Sequence, residues 1–175
     1  LNSEIEVFGP GYLEVSAGRN IYMNAKSQSD TEPGLNSSGP LVSGDRRPGA
    51  GITLMAGVGG AGAPDYARFA ALYLDPANLA EAGAPLADQP GKVARVYDKE
   101  LNVWLRERFG YEGSSDGVTA YFQALAPEQQ SIFLNTIYFE ELRQSGREYN
   151  DPGGRRFASY LRGRNAIEAL FPSKD

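Results

Sequence analysis

The chain has 175 residues, 41% of them hydrophobic and 11% aromatic, which suits one domain of ordinary size, or a small one with an appended module, rather than disorder throughout. Its formal net charge of −5 argues against a nucleic-acid or anionic-membrane partner, since either requires a cationic face. With no cysteine and no histidine it cannot form a disulfide, a thiol nucleophile, a Cys/His zinc site or an imidazole base, and no cofactor or metal is expected.

Glycine and proline crowd into the first half of the chain, which predicts turn-rich β structure there and helix afterwards. Ile5 and Val7, Leu13 and Val15, and Ile21 and Met23 are alternating apolar pairs separated by turn residues, the pattern of short strands in a repetitive β architecture. The best internal match sets Leu13-Glu14-Val15-Ser16-Ala17-Gly18 against Ile52-Thr53-Leu54-Met55-Ala56-Gly57. In a parallel β-helix such pieces stack as rungs, each burying an apolar stripe that it cannot bury alone. An antiparallel meander with glycine turns is the alternative. Between the two matched pieces, residues 26–50 are polar and broken by Pro33-Gly34, Gly39-Pro40 and Pro48-Gly49; they read as an extruded loop with a short strand at Leu41-Val42. Leu1 enters directly into strand-like sequence, which suggests a piece of a longer protein.

From Pro64 the period changes from two to that of a helix. Tyr66, Phe69, Ala70 and Tyr73 share one helical face, with Pro64 in the first turn. After a connector containing Pro76, Pro85 and Pro90, residues 92–108 carry Val93, Val96, Tyr97, Leu101, Trp104 and Leu105 on one stripe, and Phe109-Gly110 ends that helix. Ser114 or Ser115 is placed to cap the next helix, with Val118, Tyr121, Phe122 and Leu125 on its face. Pro127 starts a helix to about Arg143 that is apolar on nearly every side, so it reads as the central one of a bundle. The last helical segment, residues 155–171, carries Phe157, Tyr160, Leu161, Ile167, Leu170 and Phe171, with a break expected at Gly163. The fold class expected is therefore α+β: glycine-rich strands over residues 1–60, with the loop at 26–50, then an α-helical domain over 61–175. No run is long and apolar enough to span a membrane.

Few motifs suggest chemistry. Gly57, Gly59 and Gly62 match G-x-G-x-x-G, but no second strand follows to supply an acidic ribose partner, and Asp65 would oppose a pyrophosphate at the helix start; a hinge between two kinds of structure is the better reading. Glu140 and Glu141 with Asp116 or Asp151 offer carboxylates for glycoside hydrolysis, yet adjacent helix residues point apart, and the chain is not expected to be an enzyme. Arg143, Arg147, Arg155, Arg156, Arg162 and Arg164 concentrate positive charge near the C-terminus and are the candidate ligand-binding residues, suited to an anionic glycan. The alternative is that they pair with Glu140, Glu141, Glu148 and Asp151. Trp104 and the tyrosines fall on the helical stripes, so the core accounts for them first.

The run Gly51-Ile52-Thr53-Leu54-Met55-Ala56-Gly57, then Pro64-Asp65-Tyr66-Ala67-Arg68-Phe69-Ala70-Ala71-Leu72-Tyr73-Leu74-Asp75-Pro76-Ala77-Asn78, resembles a region of unknown function near the C-terminal end of large filamentous haemagglutinin family proteins. Ala166-Ile167-Glu168-Ala169-Leu170-Phe171-Pro172 resembles the same region. The likeness covers most of the chain from Leu13 onward, though its recognisable words are two short stretches. It implies a secreted bacterial exoprotein of the two-partner type, passed through an outer-membrane transporter and displayed at the cell surface as a β-helical adhesive filament, with this helical module decorating the shaft. A glycan or protein receptor on a host or bacterial surface would be its partner. The resemblance carries no functional residues to this chain.

Overall fold

The computed structural model describes residues 4–22, 34–59 and 62–173, and it divides into two compact units, Leu1–Ala63 and Pro64–Asp175. Among the described residues all strands fall in the first and all α-helices in the second, a mixed α+β chain.

In the first unit, β1 (Ile5–Phe8) pairs in parallel with β3 (Leu35–Ser38), and β2 (Tyr12–Ala17) pairs in parallel with β4 (Gly51–Ala56). The pairing is parallel, so the antiparallel meander is set aside. The register of the second pair sets Leu13 opposite Ile52, Val15 opposite Leu54 and Ala17 opposite Ala56, the same alignment as the internal sequence match. Hydrogen bonding continues beyond the strand ends, from Gly51 N to Gly11 O at 2.9 Å and from Gly59 N to Gly18 O at 3.1 Å. A Cβ on Gly59 would lie 2.7 Å from the Cα of Gly18, so this corner closes only with glycine. Among the described residues of this unit no hydrophobic side chain is fully buried, and Leu54 is 41% exposed. Two pairs of strands are a small sheet system and do not by themselves make a β-helix.

The strand expected at Leu41-Val42 lies instead at Leu35–Ser38; Leu41 and Val42 occupy a bend and are 78% and 71% exposed. Partners outweigh propensity here. Ser38 Oγ donates to Glu6 Oε1 at 3.1 Å, and Ser37 Oγ donates to Ala50 O at 2.7 Å. Ile21 is not in a strand, whereas Met23 and the part of the loop up to Pro33 lie outside the described residues.

The second unit opens with α1 (Tyr66–Tyr73), capped by Asp65, whose carboxylate accepts from Arg68 N at 2.9 Å; Pro64 lies just outside. Single 3₁₀ turns follow at Pro76–Asn78 and Leu86–Asp88. Then come α2 (Asp98–Phe109), α3 (Val118–Ala124), α4 (Pro127–Tyr149) and α5 (Leu161–Leu170). Gly110, at φ 65°, ends α2 as expected. The start of α2 differs. Val93 forms a parallel bridge with Leu79, and Tyr97 N donates to Tyr73 O at 2.9 Å, so residues 93–97 lie outside the helix although Val93 and Tyr97 still enter the core.

α4 is longer than expected and has one wet face, Thr136, Phe139, Arg143, Gly146 and Arg147. Its other faces meet α1 and α5, and Phe133 packs against Trp104 and Phe122 at ring separations of 5.1 and 6.0 Å. Gly163 does not break α5. It is buried where α5 crosses α4, and a Cβ there would stand 3.0 Å from Ser145 Oγ, so its small size sets how closely the helices approach. The buried side of α5 is Arg162, Gly163, Ala166, Ala169 and Leu170, while Phe157, Tyr160 and Ile167, expected inside, are 52%, 63% and 46% exposed.

Candidate functional site

The positive cluster resolves into two kinds of arginine. Arg162 is 7% exposed and bridges two acids. Its Nε donates to Glu141 Oε2 at 2.9 Å, its Nη2 to Glu141 Oε1 at 2.5 Å, and its Nη1 to Glu148 Oε1 at 2.6 Å. Tyr97 Oη also donates to Glu141 Oε1, at 2.5 Å. Burial works against the Arg162 charge, but the hydrogen bonds and charge of Glu141 and Glu148 outweigh it and hold the guanidinium firmly protonated. Burial, then the bond to Glu141, pushes the Tyr97 hydroxyl well above the usual phenol range, and Tyr73 shifts the same way through burial and the Glu141 charge.

Arg156 joins the network from its rim, with Nη1 2.8 Å from Glu148 Oε1. Arg143 stands 3.6 Å from Glu140, whose carboxyl is held below its ordinary value, first by the hydrogen bond from Gln144 and then by neighbouring arginine charge. Arg147, Arg155 and Arg164 are exposed and make no ion pair among the described residues. Of the six candidate arginines, Arg162 is spent on structure, Arg156 is partly committed and Arg155 is free beside a cleft.

That cleft has a volume of about 780 Å³ and lies within the helical unit, between residues 79–87 on one side and the end of α4 with the turns after it on the other. The first wall is small and aliphatic apart from Glu81, and Gln89 braces it. Gln89 Oε1 accepts from Glu81 N at 2.7 Å, while its Nε2 donates to Ala84 O at 3.2 Å and Pro85 O at 3.3 Å. The second wall brings Glu148, Asp151, Arg155, Arg156 and Ser159 together. Glu148 Oε2 is buried and has no hydrogen-bond partner.

Of the carboxylates considered for hydrolysis, only Asp151 lines this cleft; Glu141 is fully buried under Arg162. Sequence reasoning placed Glu148 only as a salt-bridge partner and read the 79–87 wall as a connector. The bracing Gln89 was the missed signal, and one glutamine between prolines does not announce it. Among the described residues no group of acids is arranged to hold a metal ion, and no helix is long and apolar enough to cross a membrane. Comparison of the chain with protein-family models, with curated proteins and with solved structures gave no match.

Proposed function

We propose that the chain is a structural and adhesive segment of a large, surface-exposed or secreted bacterial protein of the filamentous haemagglutinin type. Its β unit would be two rungs of a β-helical shaft, and its helical unit a module carried on that shaft. The observation that supports this reading most is the agreement between the repeat seen in the sequence and the register of β2 on β4. Strands and corners both stack in step, as the Gly18 and Gly59 contact does, and an arrangement of that kind grows by adding turns. The half-buried apolar stripe of Leu13, Val15 and Ile52, with Leu54 exposed at its edge, fits an element that expects a neighbour above or below. In this setting the full-length protein leaves the cell through an outer-membrane transporter and performs no catalysis. The test is adherence of the labelled chain to bacterial and to animal cells. Saturable binding, competed by unlabelled chain, is expected; linear, uncompeted binding to both would reject the adhesive role.

A further inference from the structure

The cleft in the helical unit has walls of opposite character, and that contrast points to its ligand. Residues 79–87 present Leu79, Ala80, Ala82, Ala84, Pro85 and Leu86, held in place by Gln89 and by the bridge between Leu79 and Val93. A wall fixed before binding loses little conformational entropy when a ligand arrives. None of the lining residues is aromatic. The rings on which a sugar would stack, such as the Tyr149 and Tyr160 pair 4.1 Å apart, are not in this lining. On the other wall Arg155 is a free guanidinium, able to take a carboxylate through two parallel N–H bonds. The Glu148 carboxylate is already held through Oε1 by Arg156 and Arg162, which leaves Arg155 as the guanidinium open to a ligand.

We propose that this cleft binds an extended peptide segment of a partner protein carrying an aliphatic side chain next to an acidic one. The aliphatic side chain packs on the alanine and leucine wall, and the acidic one pairs with Arg155. The volume of about 780 Å³ lies within the range of small-ligand sites and holds only a few residues of such a segment. The inference concerns the helical unit alone and does not depend on the adhesin reading.

The test is an amide-shift NMR titration of the ¹⁵N-labelled whole chain with the capped peptide Ac-Ala-Leu-Asp-Ala-NH₂. Its Asn-for-Asp analogue, and the acidic trisaccharide 3′-sialyllactose, serve as comparisons. The expected result is saturable shifts confined to residues 79–87 and 148–159, with the Asn peptide about tenfold weaker. Arg155→Gln should abolish that difference. Arg164→Gln, which removes the same charge from outside the cleft, should leave it intact. Equal affinity for the two peptides, shifts elsewhere on the chain, no shifts at all, or cleft shifts produced by the saccharide alone would each overturn the proposal.

Discussion

The buried pair of Glu141 and Arg162 gives the sharpest prediction. Glu141→Ala would strip Arg162 of two hydrogen bonds, those from Nε and Nη2, and would leave Tyr97 Oη without its acceptor. Arg162 is 7% exposed, so water cannot replace what is lost, and only Glu148 still faces its charge. Charged hydrogen bonds contribute about 1.5–3 kcal/mol each, and breaking a buried ion pair from one side costs about 3–5 kcal/mol. We expect a loss near 4 kcal/mol, a large share of the roughly 5–15 kcal/mol that holds a domain folded. Arg162→Ala should cost at least as much, because it leaves Glu141, 0% exposed, as a buried anion with Tyr97 for company. Joint replacement by Leu at 141 and Met at 162 should return the unit to within about 2 kcal/mol of the parent, since a packed apolar pair no longer carries the desolvation cost. Urea unfolding followed by far-ultraviolet circular dichroism reads this directly, as every α-helix among the described residues belongs to this unit. If each single change costs less than about 1 kcal/mol, or the double change costs the sum of the singles, the network is not the strongly coupled device argued here.

Two helix glycines should respond oppositely to the same change. Gly163→Ala pushes a methyl to 3.0 Å from Ser145 Oγ and should destabilise by about 1–2 kcal/mol in thermal melts, whereas Gly146→Ala, with nothing within 4 Å, should stabilise by about 0.5–1 kcal/mol. In the β unit, Asp45 is held at about 2 by the Arg47 side-chain hydrogen bond, so its folded value lies below the unfolded one. Its small stabilising contribution is therefore present above the ordinary carboxylate range and is lost as pH falls towards 2; a carboxyl carbon NMR titration should show that midpoint in the parent and a rise towards the ordinary 3.8 in Arg47→Gln. At the β corner, Gly59→Val cannot coexist with a Cβ position 2.7 Å from Gly18 Cα, so the amides of Val58 and Gly51 should lose hydrogen-exchange protection while those of α4 keep theirs.

Much of the helical unit was legible because its signals are local. The spacing of Phe69 and Tyr73, of Leu101 and Leu105, and of Val118 and Phe122 predicts faces that are buried, and Gly110 marks a true helix end. The readings that failed were those decided by distant partners. Val93 continues a helical stripe in sequence, yet it bridges Leu79; Gly163 looks like a helix breaker, yet Ser145 on another helix makes it a contact point. Leu41 and Val42 have better strand propensity than Leu35–Ser38, but the latter meet Glu6 and Ala50. The repeat at Leu13 and Ile52 was visible because parallel stacking puts like residues opposite like. For the candidate site, the arginine cluster was legible as charge alone. Which arginine is buried and which is free depends on Glu141 and Glu148 being aimed from α4, and no spacing rule separates Arg162 from Arg155.

Tandem fusion of residues 4–59 tests whether the β unit is a piece of a stacking shaft. Small-angle X-ray scattering on one, two and three copies should show the maximum dimension rising by about 10 Å per copy, two rungs at the spacing of neighbouring strands, with a single cooperative melt that moves upward with copy number. An increment of roughly 25 Å per copy, the full width of a separate domain this size, with a melt independent of copy number, would contradict it.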